Sequence, residues 1–135
     1  MRLPTRYFDT ILGSERTRLF LCDAPGGAEV AAAAIVAESD GFLHYYLSGT
    51  SDGHLKGAPS KNLIFAVMDH AEERGMPLNL GGGVRPGDGL EEFKRGFANR
   101  QVPFVTHEVV CDPTAYEGLS AGLSGDDFFP LYRGR

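Results

Sequence analysis

Apolar and polar positions along this chain change period several times, and each change marks an element. In LPTRYFDTILG (residues 3–13), Tyr7, Phe8, Ile11 and Leu12 recur at helical spacing. Pro4 suits a first helical turn and Gly13 an end, so a short opening helix is predicted. RLFLCDA (18–24) reads as a strand, PGG (25–27) as a turn, and FLHYYLSG (42–49) as another strand after the hairpin signal SDG at 39–41. EVAAAAIVAE (29–38) lies between these two strand-like runs. Its alanines favour a helix, but turns flank it on both sides, and a strand is predicted.

After the loop TSDGHLKGAPS (50–60) comes the strongest helical pattern, SKNLIFAVMDHAEERG (60–75). Leu63, Ile64, Val67, Met68 and Ala71 form its apolar stripe, Pro59 or Ser60 opens it, and Gly75 closes it. A strand PLNLGGG (77–83), a loop VRPGDG, a short helix LEEFKRGF (90–97) and a strand PFVTHEVV (103–110) follow. The predicted order is α-β-β-β-α-β-α-β. The long helix is a crossover, which makes the third and fourth strands parallel. The fold class is therefore α+β, a mixed sheet flanked by helices. Residues 1–122 are expected to form one domain and 123–135 a flexible tail.

Composition narrows the picture. At 135 residues, with 42% hydrophobic and 23% charged positions, the chain is an ordinary globular one. The formal charge of −5 argues against an overall nucleic-acid footprint. Cys22 and Cys111 lie far apart without metal-ligand spacing, which fits free thiols in a reducing compartment. The first residues lack the apolar core of a signal peptide, and no run reaches the ~20 apolar residues of a membrane span. A cytoplasmic protein is expected.

Two glycine-containing stretches carry the candidate chemistry. LNLGGGVRPG is not a dinucleotide fingerprint, because the sixth position counted from Gly81 is Pro86. Nor is it a P-loop, since no G-K-S/T follows. Gly81, Gly82 and Gly83 mark a strand end where either another backbone or a ligand comes too close for side chains. In DGHLKGAPSKN, a helix N-terminus with Lys56 and Lys61 beside it could receive phosphate, or could be a solvated helix start. His44, Tyr45 and Tyr46 on the third strand are candidate proton donors or acceptors, with His44 and Tyr46 on one face and Tyr45 on the other. Glu91 and Glu92 read as a solvated first turn, and Asp112 as a helix cap.

The order β-β-β, glycine loop, long helix, strand, short helix, strand resembles the GCN5-related N-acetyltransferase (GNAT) superfamily. HYYLSGTSDGHLKGAPSKNLIFAVMDHAEERG, then LNLGGG, then FKRGF, resembles the second GNAT-like domain of the Fem-type peptidoglycan aminoacyltransferases and their single-domain, acetyltransferase-like relatives. The resemblance covers roughly residues 6–110. It implies transfer of an acyl or aminoacyl group from acyl-CoA or aminoacyl-tRNA, used as donor substrate with no tightly bound cofactor, to a small amine or peptide acceptor. A link to cell-wall precursor modification follows from the same likeness.

Residue by residue, Lys94 would stabilise the oxyanion, and Phe93 would lie beside the donor. Gly49, Gly81 and Gly82 would line the path of the acyl arm, while Gly57, Lys61 and Asn62 would hold the donor's phosphates. Tyr46 is the candidate proton donor. Two features depart from the pattern. HLKGAP places Pro59 where the superfamily has a small residue whose N–H binds pyrophosphate, and the first copy of the Fem-type fold is missing. A non-catalytic GNAT-like binding or assembly module is therefore the alternative. The apolar end FFPLYRGR, with Phe128, Phe129, Leu131 and Tyr132, is expected to add an edge strand to its own sheet or to exchange with a partner in a homodimer.

Overall fold

The computed structural model describes residues 3–125 and 128–134. Residues 126, 127 and 135 of the expected tail lie outside the described residues. The chain divides into two compact units, Met1–Gln101 and Val102–Arg135. The first contains α1 (Thr5–Leu12), β1 (Thr17–Asp23), β2 (Val30–Ser39), β3 (Phe42–Thr50), a 3-10 segment (Asp52–Gly57), α2 (Pro59–Glu73), β4 (Leu78–Asn79) and α3 (Gly89–Arg95). The four strands form one sheet in the order β1-β2-β3-β4. The first two pairings are antiparallel and β3–β4 is parallel.

The alanine-rich run is β2, which has hydrogen-bonded neighbours on both sides. Ala31, Ala32, Ala34, Ile35 and Val36 are all buried, so both faces of the strand are covered. A strand covered on both faces reads as a continuous apolar run rather than an alternating one. That environment outweighs alanine's preference for helix. Asp40 and Gly41 both have positive φ, 52° and 78°, the geometry of a two-residue turn whose twist matches the flanking strands.

The core lies between one sheet face and α2. Ala32, Ala34 and Val36 meet Leu43 and Tyr45 of β3 and Leu63, Ile64, Val67 and Ala71 of α2. Small alanines on the sheet leave room for the larger helix side chains. Burying each of Leu63, Ile64 and Val67 contributes ~1.5–3 kcal/mol before entropy is counted.

The feature that positions the site is where β3 and β4 stop pairing. Their register contains Leu43↔Leu78 and His44↔Asn79 and nothing further. The Leu43 N–H donates to Pro77 O at 3.0 Å, below which the strands enter the pair. From Tyr45 onward β3 runs on to Thr50 without β4, and the main chain beyond Asn79 turns away. On its other side, β3 carries a bulge opposite Ile35 and Val36, which leaves Tyr46 unpaired in the register.

The second unit contains α4 (Pro113–Ser120) and a 3-10 turn (Leu131–Arg133). Asp112 caps α4, its Oδ1 accepting from the Ala115 N–H at 2.9 Å, as expected. Residues 103–110 do not form the expected strand: they have no ladder partner and every one is exposed, Phe104 at 90%. β-branched and aromatic residues mark a segment able to pair, but pairing is what makes a strand. The apolar end also differs from expectation. Instead of an edge strand it packs on α4, with Phe129 and Tyr132 against the Tyr116 ring at centroid distances of 5.8 and 6.0 Å. The Leu131 N–H donates to the Tyr116 hydroxyl at 3.2 Å. The Tyr116 ring on the short helix α4 gives that end its apolar cover. Among the described residues no helix is long and apolar enough to cross a membrane.

Candidate active site

Past His44 and Asn79 the ladder of β3 and β4 ends, and residues 45–49 on one side and 80–83 on the other share no strand pairing; we call this interruption the wedge. Its closed end is held by a polar chain. The Asn79 side chain accepts from the Gly81 N–H at 2.8 Å and its amide nitrogen lies 3.3 Å from His44 Nδ1. His44 Nε2 lies 3.3 Å from Ser39 O. These contacts are mutually consistent when Nδ1 accepts and Nε2 carries the proton, a tautomer inferred from the network. Both nitrogens of His44 are then engaged, so it serves the strand junction rather than proton transfer.

The three glycines turn out to have three different reasons. Gly81 has φ +70°, a left-handed conformation that strains residues with a Cβ. A Cβ on Gly83 would overlap the carboxylate of Asp88. Gly82 has neither constraint: its φ is ordinary and nothing stands within 4 Å of the position of a Cβ. The fold therefore requires glycine at 81 and 83, and only open space at 82 remains for a ligand to explain.

Asp88 is the N-cap of α3. Its carboxylate accepts from the N–H groups of Val84 (2.6 Å), Arg85 (2.9 Å) and Glu91 (2.8 Å). These bonds, the Arg85 N–H foremost, hold its carboxyl below the usual range. Glu91 is not the solvated residue expected. It accepts from the Gly87 N–H at 2.6 Å and from Arg95, and the Gly87 bond is the main reason its carboxyl also sits low. The loop 83–88 is thereby pinned to the start of α3.

That pinning aims Lys94. Its Nζ donates to Gly82 O at 2.9 Å and lies 3.6 Å from where a Cβ on Gly81 would stand. The side chain is half-buried, and this burial lowers its pKa from the ordinary lysine value, with the Asp88 charge opposing. Phe93 faces the other way. It packs against the core and meets Phe97 at 5.3 Å, which in turn meets Phe65 at 5.5 Å. An aromatic run thus anchors α3 to α2.

The second group of expected residues lies at the start of α2. The 3-10 segment ends at Ala58, whose φ of 47° is left-handed, and Pro59 takes the first helical position. No side chain caps this end of the helix. Lys61 and Asn62 are exposed on the first turn, and Gly57 and Gly49 have nothing within 4 Å of an added Cβ. His54 is tied to the β1–β2 connection, its Nε2 3.3 Å from Glu29 Oε2.

The two tyrosines part company. The Tyr46 hydroxyl is 2.7 Å from that of Tyr7 on α1, and this bond is the main cause that raises the Tyr7 pKa. Tyr45 instead points into the core and is 9% exposed. Its hydroxyl is buried and forms no hydrogen bond in the structure, and burial pushes its pKa up, tempered by the nearby Ser48 hydroxyl. The sequence named Tyr45 together with His44 and Tyr46 as a candidate proton donor or acceptor and could not tell which face is buried, because that depends on where α2 packs.

Lys94, Gly81 and Gly82 are therefore brought together, while Gly57, Lys61 and Asn62 follow one another along the start of α2. Phe93 packs on the core, and Tyr46 is engaged with α1. Among the described residues no cluster of three metal-ligating side chains occurs.

Neither the curated proteins nor the solved structures provide a match. A family model described as an acetyltransferase (GNAT) domain matches residues 2–95. That span covers well over half of the chain and takes in the whole sheet, α2, the wedge and Lys94. With a mixed sheet whose parallel pair splays beside a crossover helix, the chain belongs to the GNAT acetyltransferase family.

Proposed function

We propose that this protein is an N-acyltransferase, passing an acyl or aminoacyl group from acyl-CoA or aminoacyl-tRNA to an amine acceptor. The observation that carries the reading is a half-buried lysine ammonium bonded to the carbonyl of Gly82, the one glycine of the run 81–83 that the fold does not need. The donor carbonyl would enter the wedge against residue 82. The acceptor amine's lone pair attacks it, a C–N bond forms and the carbonyl oxygen becomes an oxyanion. Collapse breaks the C–S or C–O bond to the donor, and the amine's proton passes to the leaving group or to water. Lys94 would exchange its bond to Gly82 O for one to the oxyanion, and loss of such a donor typically costs ~2.7–4 kcal/mol. Residues 57–61 and the uncapped start of α2, with Lys61 and Asn62, would receive the donor's phosphates. Gly49 and Gly81 would border the acyl arm.

Within the family, the LNLGGG and FKRGF stretches support a relation to the Fem-type aminoacyltransferases and hence a peptide-like acceptor such as a cell-wall precursor. The exposed apolar side chains of residues 102–110, Val102, Phe104 and Val105 among them, support a homodimer, and a cytoplasmic setting goes with either donor. Tyr46 could act as proton donor only after releasing Tyr7.

Pro59 favours a second reading. It removes one N–H from the turn that would hold pyrophosphate. On that reading the protein is a GNAT-like binding or assembly module without turnover. Thermal unfolding with acetyl-CoA, coenzyme A and glycyl-tRNA separates the two. A donor at a hundred times its Kd adds ~2.7 kcal/mol of stability. Stabilisation together with transfer to an amine supports the enzyme; no stabilisation by any donor supports the module.

A further inference from the structure

A polar cleft of about 80 Å³ lies between the edge strand β1 and the last turn of α2. Arg16, Arg18, His70 and Arg74 line it, with Glu15 and Glu38. Its floor is apolar, Val36 and Leu43, both buried. Phe20 and Cys22 of β1 pack against the core under α2. By the two-residue period of a strand, Arg18 and Arg16 project on that same face, about 7 Å apart. The Glu38 N–H donates to Arg16 O at 2.8 Å, which carries the ladder on to that residue.

The charges are not balanced. Arg74 binds Glu38 at 2.7 Å, which satisfies that pair. Among the described residues Arg16 and Arg18 form no ion pair. The helix end does not neutralise them either, because its last carbonyls are already bonded. The N–H groups of Arg74, Gly75 and Met76 donate to His70 O, Glu72 O and Ala71 O. What remains, beside the Glu15 carboxylate, is two arginines without an ion-pair partner lining one small concavity, and arginine is the side chain whose planar fork suits the paired oxygens of phosphate. Residues 45–49 and 80–83, which flank the wedge, are absent from the lining of this cleft.

We propose that this cleft binds a small tetrahedral oxyanion, phosphate or the phosphate of a monoester, between Arg16 and Arg18. The test is a titration of amide NMR shifts in the full chain at constant ionic strength, one arm with inorganic phosphate and one with glycerol 2-phosphate. The expected result is saturable shifts confined to residues 15–18, 38 and 70–75. R16Q and R18Q should each weaken binding at least ten-fold, while R100Q leaves it unchanged. Tighter binding of the ester identifies a phosphomonoester as the ligand, and equal or weaker binding identifies free phosphate. Shifts that grow linearly without saturation would overturn the proposal. So would an R16Q/R18Q double variant that keeps the native spectrum elsewhere and binds phosphate as well as the unaltered chain does.

Discussion

Replacing Gly82 with alanine separates what the fold needs from what a ligand needs. The added methyl meets nothing within 4 Å and the backbone conformation is ordinary. A glycine-to-alanine change at a compatible position stabilises by ~0.4–1 kcal/mol, chiefly by restricting the unfolded chain. G82A should therefore fold as well as the parent or slightly better. Gly81 is the internal control. At φ +70° an alanine there costs ~1–2 kcal/mol, and its methyl comes to 3.6 Å from Lys94 Nζ. With donor bound the order reverses. A methyl at 82 would occupy space reserved for the acyl arm, and an extra methylene forced into a packed site costs ~1–3 kcal/mol. Since 1.4 kcal/mol is a factor of ten, donor affinity should fall by roughly 5- to 150-fold. Urea unfolding gives the stabilities, and calorimetric titration with coenzyme A or the preferred donor gives the affinities. The reasoning is refuted if G82A loses stability comparable to G81A, or if it binds the donor as tightly as the parent.

Two further predictions concern titrating side chains. Lys94→Ala should lower turnover by about 10²–10³, the usual loss of one oxyanion donor. Because burial lowers the Lys94 pKa, the ammonium is lost below the ~10.4 of a free lysine. The parent's rate should decline at alkaline pH on a limb below that value, and the limb should be absent in K94R, whose guanidinium stays charged; a parent profile flat to pH 10.5 contradicts the role. Tyr45→Phe removes a buried hydroxyl that has no partner, and an unsatisfied buried polar group costs ~1–3 kcal/mol. Y45F should therefore raise the urea midpoint, and a lowered midpoint would show that the hydroxyl makes a bond in solution.

Much of this scaffold could be read from local rules, and the exceptions have physical causes. The stripe of Leu63, Ile64, Val67 and Ala71 found its sheet because one helix face is apolar over more than two turns. The Asp40–Gly41 turn declared itself through residues that tolerate positive φ. β2 was legible only through its neighbours, since alanine alone argues for helix. The fourth strand was over-read: PLNLGGG keeps strand character through seven residues, but only Leu78 and Asn79 pair before Gly81 turns the chain. Residues 103–110 are rich in β-branched and aromatic side chains, as strands are, and remain unpaired. At the site, the glycine run was visible as a run, yet the separate reasons for Gly81, Gly82 and Gly83 depend on Asp88 and Lys94, five and more residues away. Likewise, strand alternation placed Tyr45 and Tyr46 on opposite faces but could not say which face α2 would cover.

The most direct test is a crystal structure of the protein with coenzyme A or a non-reactive acyl-CoA analogue. The sulfur or carbonyl should lie between residues 45–49 of β3 and residues 80–83, with Lys94 Nζ moved from Gly82 O toward the carbonyl oxygen. A ligand bound elsewhere, or β3 and β4 hydrogen-bonded past His44 and Asn79 so that the gap is closed, would contradict the account.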